Sequence, residues 1–160
     1  MQKKIIIGVI VILVILAAAL GIANRSKSKA AADGLNISAG GKEVTISWEE
    51  IGKEAFSGEL VNGKGEVSRH DYEGAELAQI LQKAGVEITA ESVITAGSED
   101  NYTAELSGSE LLEAGKVYVA LTADGKMIEG IEGGQGAQLI VFGDPNSKRA
   151  VRYLKTITVE

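Results

Sequence analysis

The chain has no cysteine in its 160 residues, and His70 is its only histidine. Without cysteine there is no disulfide, no thiolate metal site, no cysteine nucleophile and no lipid-modified cysteine of the bacterial lipoprotein kind. One histidine without a second ligand makes a poor metal centre, and His70-Asp71 beside Arg69 reads as a solvated polar turn. Common catalytic signatures are missing as well, with no GxxxxGK[ST], GxSxG or HExxH. The glycines of "GIEGGQGAQ" precede a strand-like segment rather than a helix, so they read as a turn and not as a dinucleotide loop. The carboxylates are dispersed, and spacing alone assigns no acid–base pair among them.

Basic charge is scarce and unevenly placed. Five of the 16 Lys and Arg residues precede position 30, where there is no acid. The remainder therefore sets 22 acidic against 11 basic residues, a net charge of −11. Such a domain is repelled by nucleic acid and by anionic lipid heads, which excludes nucleic-acid binding as a function.

The early basic residues flank a run of 19 uncharged, mostly aliphatic residues, Ile5 to Ala23. As a helix this run measures roughly 28 Å, close to a bilayer's hydrocarbon core of ~30 Å. It is longer than the ~7–15 apolar residues of a signal peptide, although Gly21-Ile22-Ala23 has the small residues a signal peptidase accepts. The expectation is a single-pass membrane anchor with the domain outside the cytoplasm, the alternative being a cleaved signal and a secreted domain. The segments expected are residues 1–25 as anchor or signal, 26–34 as a tether, and 35–160 as the folded domain.

Within the domain, "LNISAGGKEVTIS" reads as two strands around Gly40-Gly41, and Ser47 with Glu50 has capping-box spacing for a short helix over "SWEEIGKEAF". Asn62-Gly63 signals a hairpin. Leu77, Ile80, Leu81 and Ala84 share a helical face that Gly85 terminates. Ser107 and Glu110 form a second capping-box spacing. "SVITAG", "NYTAEL", "KVYVALTADGKMIEG" with a turn at Asp124-Gly125, "AQLIVFG" and "AVRYLKTITVE" are strand-like. Strands mixed with two or three short helices, without a strand–helix repeat, predict an α+β fold, a mixed β-sheet or sandwich.

One basic focus stands out. Lys148, Arg149, Arg152 and Lys155 follow the turn "GDPNS", a combination suited to a phosphate or carboxylate. Charge compensation of neighbouring acids is the competing reading. In a strand, Val151, Tyr153, Ile157 and Val159 share one face and Arg152 points away from it. If Lys148, Arg149 and Arg152 bind an external anion, removing both arginines abolishes binding with little effect on stability.

The order "YEGAELAQILQKAGV", "SEDNYTAEL", "YVALTADGKMI", "GGQGAQLIVFGD" and "KRAVRYLKTITV" resembles the oxidoreductase molybdopterin-binding domain, the sulfite-oxidase-like family, over roughly Trp48 to Glu160. The resemblance implies that family's fold, a possible molybdopterin cofactor, and ligand-binding roles for Asn101 and Tyr102 at the Asp-Tyr turn and for Lys148, Arg149 and Arg152 near a pterin phosphate. It also implies a molybdenum-ligating cysteine upstream of Tyr72-Glu73-Gly74, where this chain offers only Ser57, Ser68, His70 and acids. Gln138 stands where the family has an arginine. With no soft thiolate donor, three readings stay open. The chain is a membrane-tethered, non-catalytic module for an anionic ligand or a protein partner, an oxidoreductase with a non-cysteine metal ligand, or a structural or adhesive surface domain.

Overall fold

The computed structural model describes residues 34–160, so the run Ile5–Ala23, expected as an anchor, and residues 26–33 of the expected tether lie outside the described residues. Gly34, assigned by sequence to the tether, is already the first residue of a strand. Among the described residues ten strands form two sheets. In the first, β1 (Gly34–Ala39), β2 (Lys42–Ser47), β5 (Val93–Ser98), β6 (Thr103–Ser107) and β10 (Leu154–Val159) run in the order β2-β1-β10-β5-β6. In the second, β3 (Glu54–Val61), β4 (Val67–Glu76), β7 (Val117–Ala123) and β8 (Lys126–Met127) run in that order, with β9 (Gln138–Val141) also on β7. Two α-helices, α1 (Leu77–Lys83) and α2 (Gly108–Leu111), and a 3₁₀ turn (Trp48–Glu50) complete the fold. The strand-rich α+β expectation holds, with three short helical pieces. Among the described residues no helix is long and apolar enough to cross a membrane.

Local chemistry explains most boundaries. Gly40 and Gly41, at φ 54° and 77°, and Asp124 and Gly125, at 51° and 72°, make two-residue turns with both central residues left-handed. That twist matches the flanking strands. Helix α1 buries Leu77, Ile80 and Leu81 and ends on left-handed Gly85. There Gly85 N–H donates to Gln82 O and Val86 N–H to Leu81 O, satisfying carbonyls that the helix end leaves open. Helix α2 starts with the expected box, Ser107 Oγ accepting from Glu110 N–H while Ser107 N–H donates to Glu110 Oε2.

Four expectations need correction. The helix over "SWEEIGKEAF" is only the 3₁₀ turn, because Glu54–Phe56 already pair with Tyr72–Gly74 in the β3–β4 hairpin. That hairpin turns at Asn62, but its left-handed residue is Gly65 at 81°, not Gly63, and the Asn62 side chain accepts from the N–H groups of Lys64 and Glu66. His70 and Asp71 lie inside β4 rather than in a turn. Finally, β10 begins only at Leu154. Tyr153 is left-handed at 53° and the β10–β5 register shifts between Leu154 and Thr156, so Leu154, not Tyr153, joins Ile157 and Val159 on the buried face.

The main core takes Leu35, Ile37 and Ile46 from the first sheet, Val119, Leu121 and Leu139 from the second, and the buried face of α1. On the other face of the second sheet Tyr72, Ala120 and Ile140 are buried among Phe56, Tyr118 and Phe142, with Phe56 stacked on Tyr118 at 4.1 Å. The β4–β7 pairing shifts register between Glu73 and Gly74, and a Cβ at Gly74 would lie 1.9 Å from Val119 O. Gly74→Ala therefore displaces backbone between two central strands and should destabilise the domain by about 2–3 kcal/mol. Gly63→Ala, with nothing within 4 Å, should stay within ~0.5 kcal/mol. Urea titration of both variants checks the contrast.

Candidate functional site

The connection from β9 to β10, residues 142–153, carries the basic cluster expected to bind an anion. Its local shape follows from the sequence "GDPNS", with Gly143 and Ser147 left-handed at 82° and 47°. Asp144 is buried with its side chain 6% exposed, and among the described residues the Arg149 guanidinium compensates it. Arg149 donates through Nε to Asp144 Oδ2 at 2.9 Å and through Nη2 to Asp144 Oδ1, while Nη1 reaches both oxygens of Glu110 at 2.8 and 2.9 Å. Arg149 was expected to take an external anion. Its fork is instead filled by two carboxylates of its own chain, which is the charge-compensation reading.

The same geometry sets the titration of its partners. Burial pushes the Glu110 carboxyl up, but the Ser107 hydrogen bonds and Arg149 outweigh it and hold it below the usual 4.5. Arg149 is pushed well above its ordinary value, chiefly by the hydrogen bond to Asp144. Folding thus favours ionised Glu110. That stabilisation is complete above the unfolded value and is lost as pH falls through the lower folded one.

Arg152 behaves differently. It is exposed and makes no hydrogen bond or ion pair among the described residues. It lines an open cleft of about 870 Å³ together with Gln138, Tyr153 and a wall formed by the segment Lys126–Ile131. Lys126, Met127 and Ile131 are exposed, the last two at 48% and 49%. That wall is pinned by Glu99, whose Oε2 accepts from Ile131 N–H at 3.0 Å and whose Oε1 lies 3.9 Å from Lys155 Nζ. Gln135 pins it too, its amide donating to the carbonyls of Leu121, Ile128 and Gly136. The glycine-rich turn is therefore held in place at both sides.

Of the other residues expected in the site, Tyr102 and Lys148 meet. The phenol donates to Lys148 O, joining the β5–β6 turn to the basic loop. Asn101 is left-handed at 66° and shapes that turn. Asn101, Tyr102 and Lys148 do not line the cleft. Lys126 and the 127–131 wall were not foreseen, because only the fold brings them to the same cleft as Arg152. Near them, Asp124 joins β4 to the β7–β8 turn, accepting from Asp71 N–H and sitting 2.7 Å from His70 Nδ1. Burial raises the Tyr72 phenol, the Asp124 charge adds to this and Arg152 opposes it.

The residues where the resemblance asks for a metal ligand do not converge. In the β3–β4 register Ser57 faces Asp71, His70 faces Gly58 and Ser68 faces Leu60. Ser57 Oγ accepts from Arg69 and His70 is held by Asp124. Among the described residues no group of three His, Asp or Glu side chains could hold a metal ion. Hard oxygen donors spread along a hairpin do not fit oxo-molybdenum, whose chemistry uses a soft, charge-donating thiolate.

The different surroundings of the two arginines predict opposite outcomes. Arg149→Gln leaves Asp144 buried without its partner. A broken buried pair costs ~3–5 kcal/mol; with the Arg149 side chain 32% exposed, about 2–3 kcal/mol is expected, lowering Tm by roughly 10 °C. The loss of stability on acidification should also begin at higher pH in this variant, because Glu110 no longer has its cation. Arg152→Gln should stay within ~0.5 kcal/mol. Thermal melts from about pH 7 down to about pH 3, the span over which carboxylates titrate, test both.

Comparison with known proteins gives this geometry a context. A search of curated proteins finds no sequence match. Among solved structures, the sulfane dehydrogenase SoxCD from Paracoccus pantotrophus matches with a TM-score of 0.63 at 15% identity, over 81% of this chain and 38% of that one. At this identity the likeness is one of fold, and the chain spans well under half of that protein's length. The family model described as the oxidoreductase molybdopterin binding domain matches residues 38–160. Matched by that model over nearly its whole described length, the chain belongs to the oxidoreductase molybdopterin binding domain family.

Proposed function

We propose that this chain is a membrane-tethered, extracytoplasmic member of its family that has no metal chemistry and works as a binding module for an anionic group. The observation that carries the reading is the contrast between two positions. The hairpin that should supply a thiolate offers Ser57, Ser68 and His70, each paired elsewhere or apart from the others. The basic strand start, by contrast, still presents Arg152 to an open cleft with Lys126 on its wall.

A guanidinium holds a phosphate or carboxylate through paired, charge-assisted hydrogen bonds, and the ammonium of Lys126 adds a second positive charge. Gln138, beside Arg152, supplies an amide able to donate to the same anion. The cleft opens to solvent and its lining contains no candidate base–nucleophile pair, so the chemistry it supports is recognition rather than turnover. Support for the tether comes from the apolar run Ile5–Ala23 and the short polar segment after it.

Protein purified from its own host should carry far less than one molybdenum per chain and release no pterin on oxidation. Stoichiometric molybdenum would overturn the reading. Inorganic pyrophosphate should bind, and Arg152→Gln should weaken it by about ten- to a hundredfold, the value of one charge-assisted contact of ~1.5–3 kcal/mol. Calorimetry on parent and variant measures this. Equal affinity in the two would place the anion elsewhere.

A further inference from the structure

We propose that the anion taken by this cleft is the headgroup phosphate of an anionic phospholipid, so that the rim formed by Lys126, Met127, Ile131 and Arg152 seats on the membrane surface. The inference rests on the membrane-tethered reading above and names the ligand of the same site. The rim combines two features rarely placed together on an acidic domain. The side chains of Lys126 and Arg152 are exposed and make no hydrogen bond or ion pair among the described residues, although the nearby Asp124 carboxylate attracts the Lys126 ammonium. Met127 and Ile131 stand beside them as exposed apolar side chains. Cations at headgroup depth with apolar side chains next to the acyl boundary are the composition of an interfacial surface.

The apolar groups are held outward. Ile131 N–H is bonded to Glu99 and the turn after it is fixed by Gln135, so the loop keeps Ile131 on the surface instead of turning it into the core. Charge also selects the face. The rest of the domain is strongly acidic, with 22 acidic against 11 basic residues beyond position 29. An anionic bilayer repels that body and favours the one orientation that brings Lys126 and Arg152 forward. Glu129 and Glu132 are exposed on the same segment and oppose the contact.

Strand topology brings the first described residue close to Arg152 in the fold. Strand β1 runs parallel to β10 with Asn36 opposite Thr156, so Gly34 lies at the end of the sheet where Leu154 begins. Arg152 and Tyr153 come immediately before Leu154. Residues 24–33 connect Ala23 to that point, and a chain of this length reaches at most ~36 Å. With Ile5–Ala23 in the bilayer, the rim is held at an effective concentration of order mM near lipid, enough for a contact too weak to recruit a free domain.

The absence of native cysteine makes the test clean. Nitroxide labels are placed singly by Met127→Cys, Ile131→Cys and, as reference, Val67→Cys, an exposed position of the β3–β4 hairpin that does not line the cleft. The full chain is reconstituted in nanodiscs of equal parts phosphatidylglycerol and phosphatidylcholine. Labels at 127 and 131 should show oxygen accessibility typical of the acyl boundary and the label at 67 that of water. Adding Lys126→Gln with Arg152→Gln should reduce the docked-to-free ratio on the order of 25-fold, at about fivefold per cation. Pure phosphatidylcholine should reduce it similarly, and Glu129→Gln should increase it. If all three labels are equally aqueous while the chain stays in the disc, the docking surface is wrong and the tether stands. Docking indifferent to the two cations or to lipid charge also overturns the proposal. A chain that alkaline carbonate strips from membranes overturns the tether reading itself.

Discussion

Arg149, between Asp144 and Glu110, is the interaction on which the placement of everything downstream depends. Among the described residues it is the only guanidinium in contact with the buried Asp144, and it joins the 143–150 loop to the cap of α2, 39 residues earlier in the chain. That loop leads directly into Val151, Arg152 and Tyr153 and then into β10, the central strand of the first sheet. With the loop fixed, Tyr153 takes its left-handed backbone and its carbonyl accepts from Glu99 N–H. The chain then turns so that Arg152 faces the cleft while Val151 and Leu154 are buried. One internal ion pair thus separates a structural arginine from an available one three residues away.

This division also clarifies what the fold retains from its family. Tyr72-Glu73-Gly74 with its close-packed glycine, and the basic residue before the last strand, both part of the resemblance, are set in a frame of two sheets. The β3–β4 hairpin has no thiolate, and its polar side chains serve the hairpin itself: Ser57 takes Arg69, and His70 takes Asp124 across to the β7–β8 turn. A scaffold can keep its geometry after a catalytic ligand is absent, because core packing and register do not depend on the metal donor.

What the sequence made legible were the features coded locally. The α1 face of Leu77, Ile80 and Leu81 and its Gly85 stop, the Ser107–Glu110 box, and the turns at Gly40-Gly41 and Asp124-Gly125 depend on residues a few positions apart. The misread parts depend on distant partners. His70-Asp71 reads as a turn because its residues are polar, yet β4 is held there by Asp124, more than fifty residues away. Alternation placed Tyr153 with Ile157, but the irregularity against β5 shifts the inward position to Leu154. The basic cluster was visible as composition, and the division of labour between Arg149 and Arg152 was not, because it is decided by Glu110 and by the Lys126–Ile131 wall.

On the function proposed above, this molybdopterin-binding fold holds an anion at Arg152 and no metal at the β3–β4 hairpin. Diffraction data collected on both sides of the molybdenum absorption edge, from crystals of protein purified from its own host, test it most directly. The expected result is no anomalous peak anywhere near Ser57, Ser68 or His70, and density for an anionic group against the Arg152 guanidinium. A molybdenum peak bound at that hairpin, with Arg152 turned away from any ligand, would contradict it.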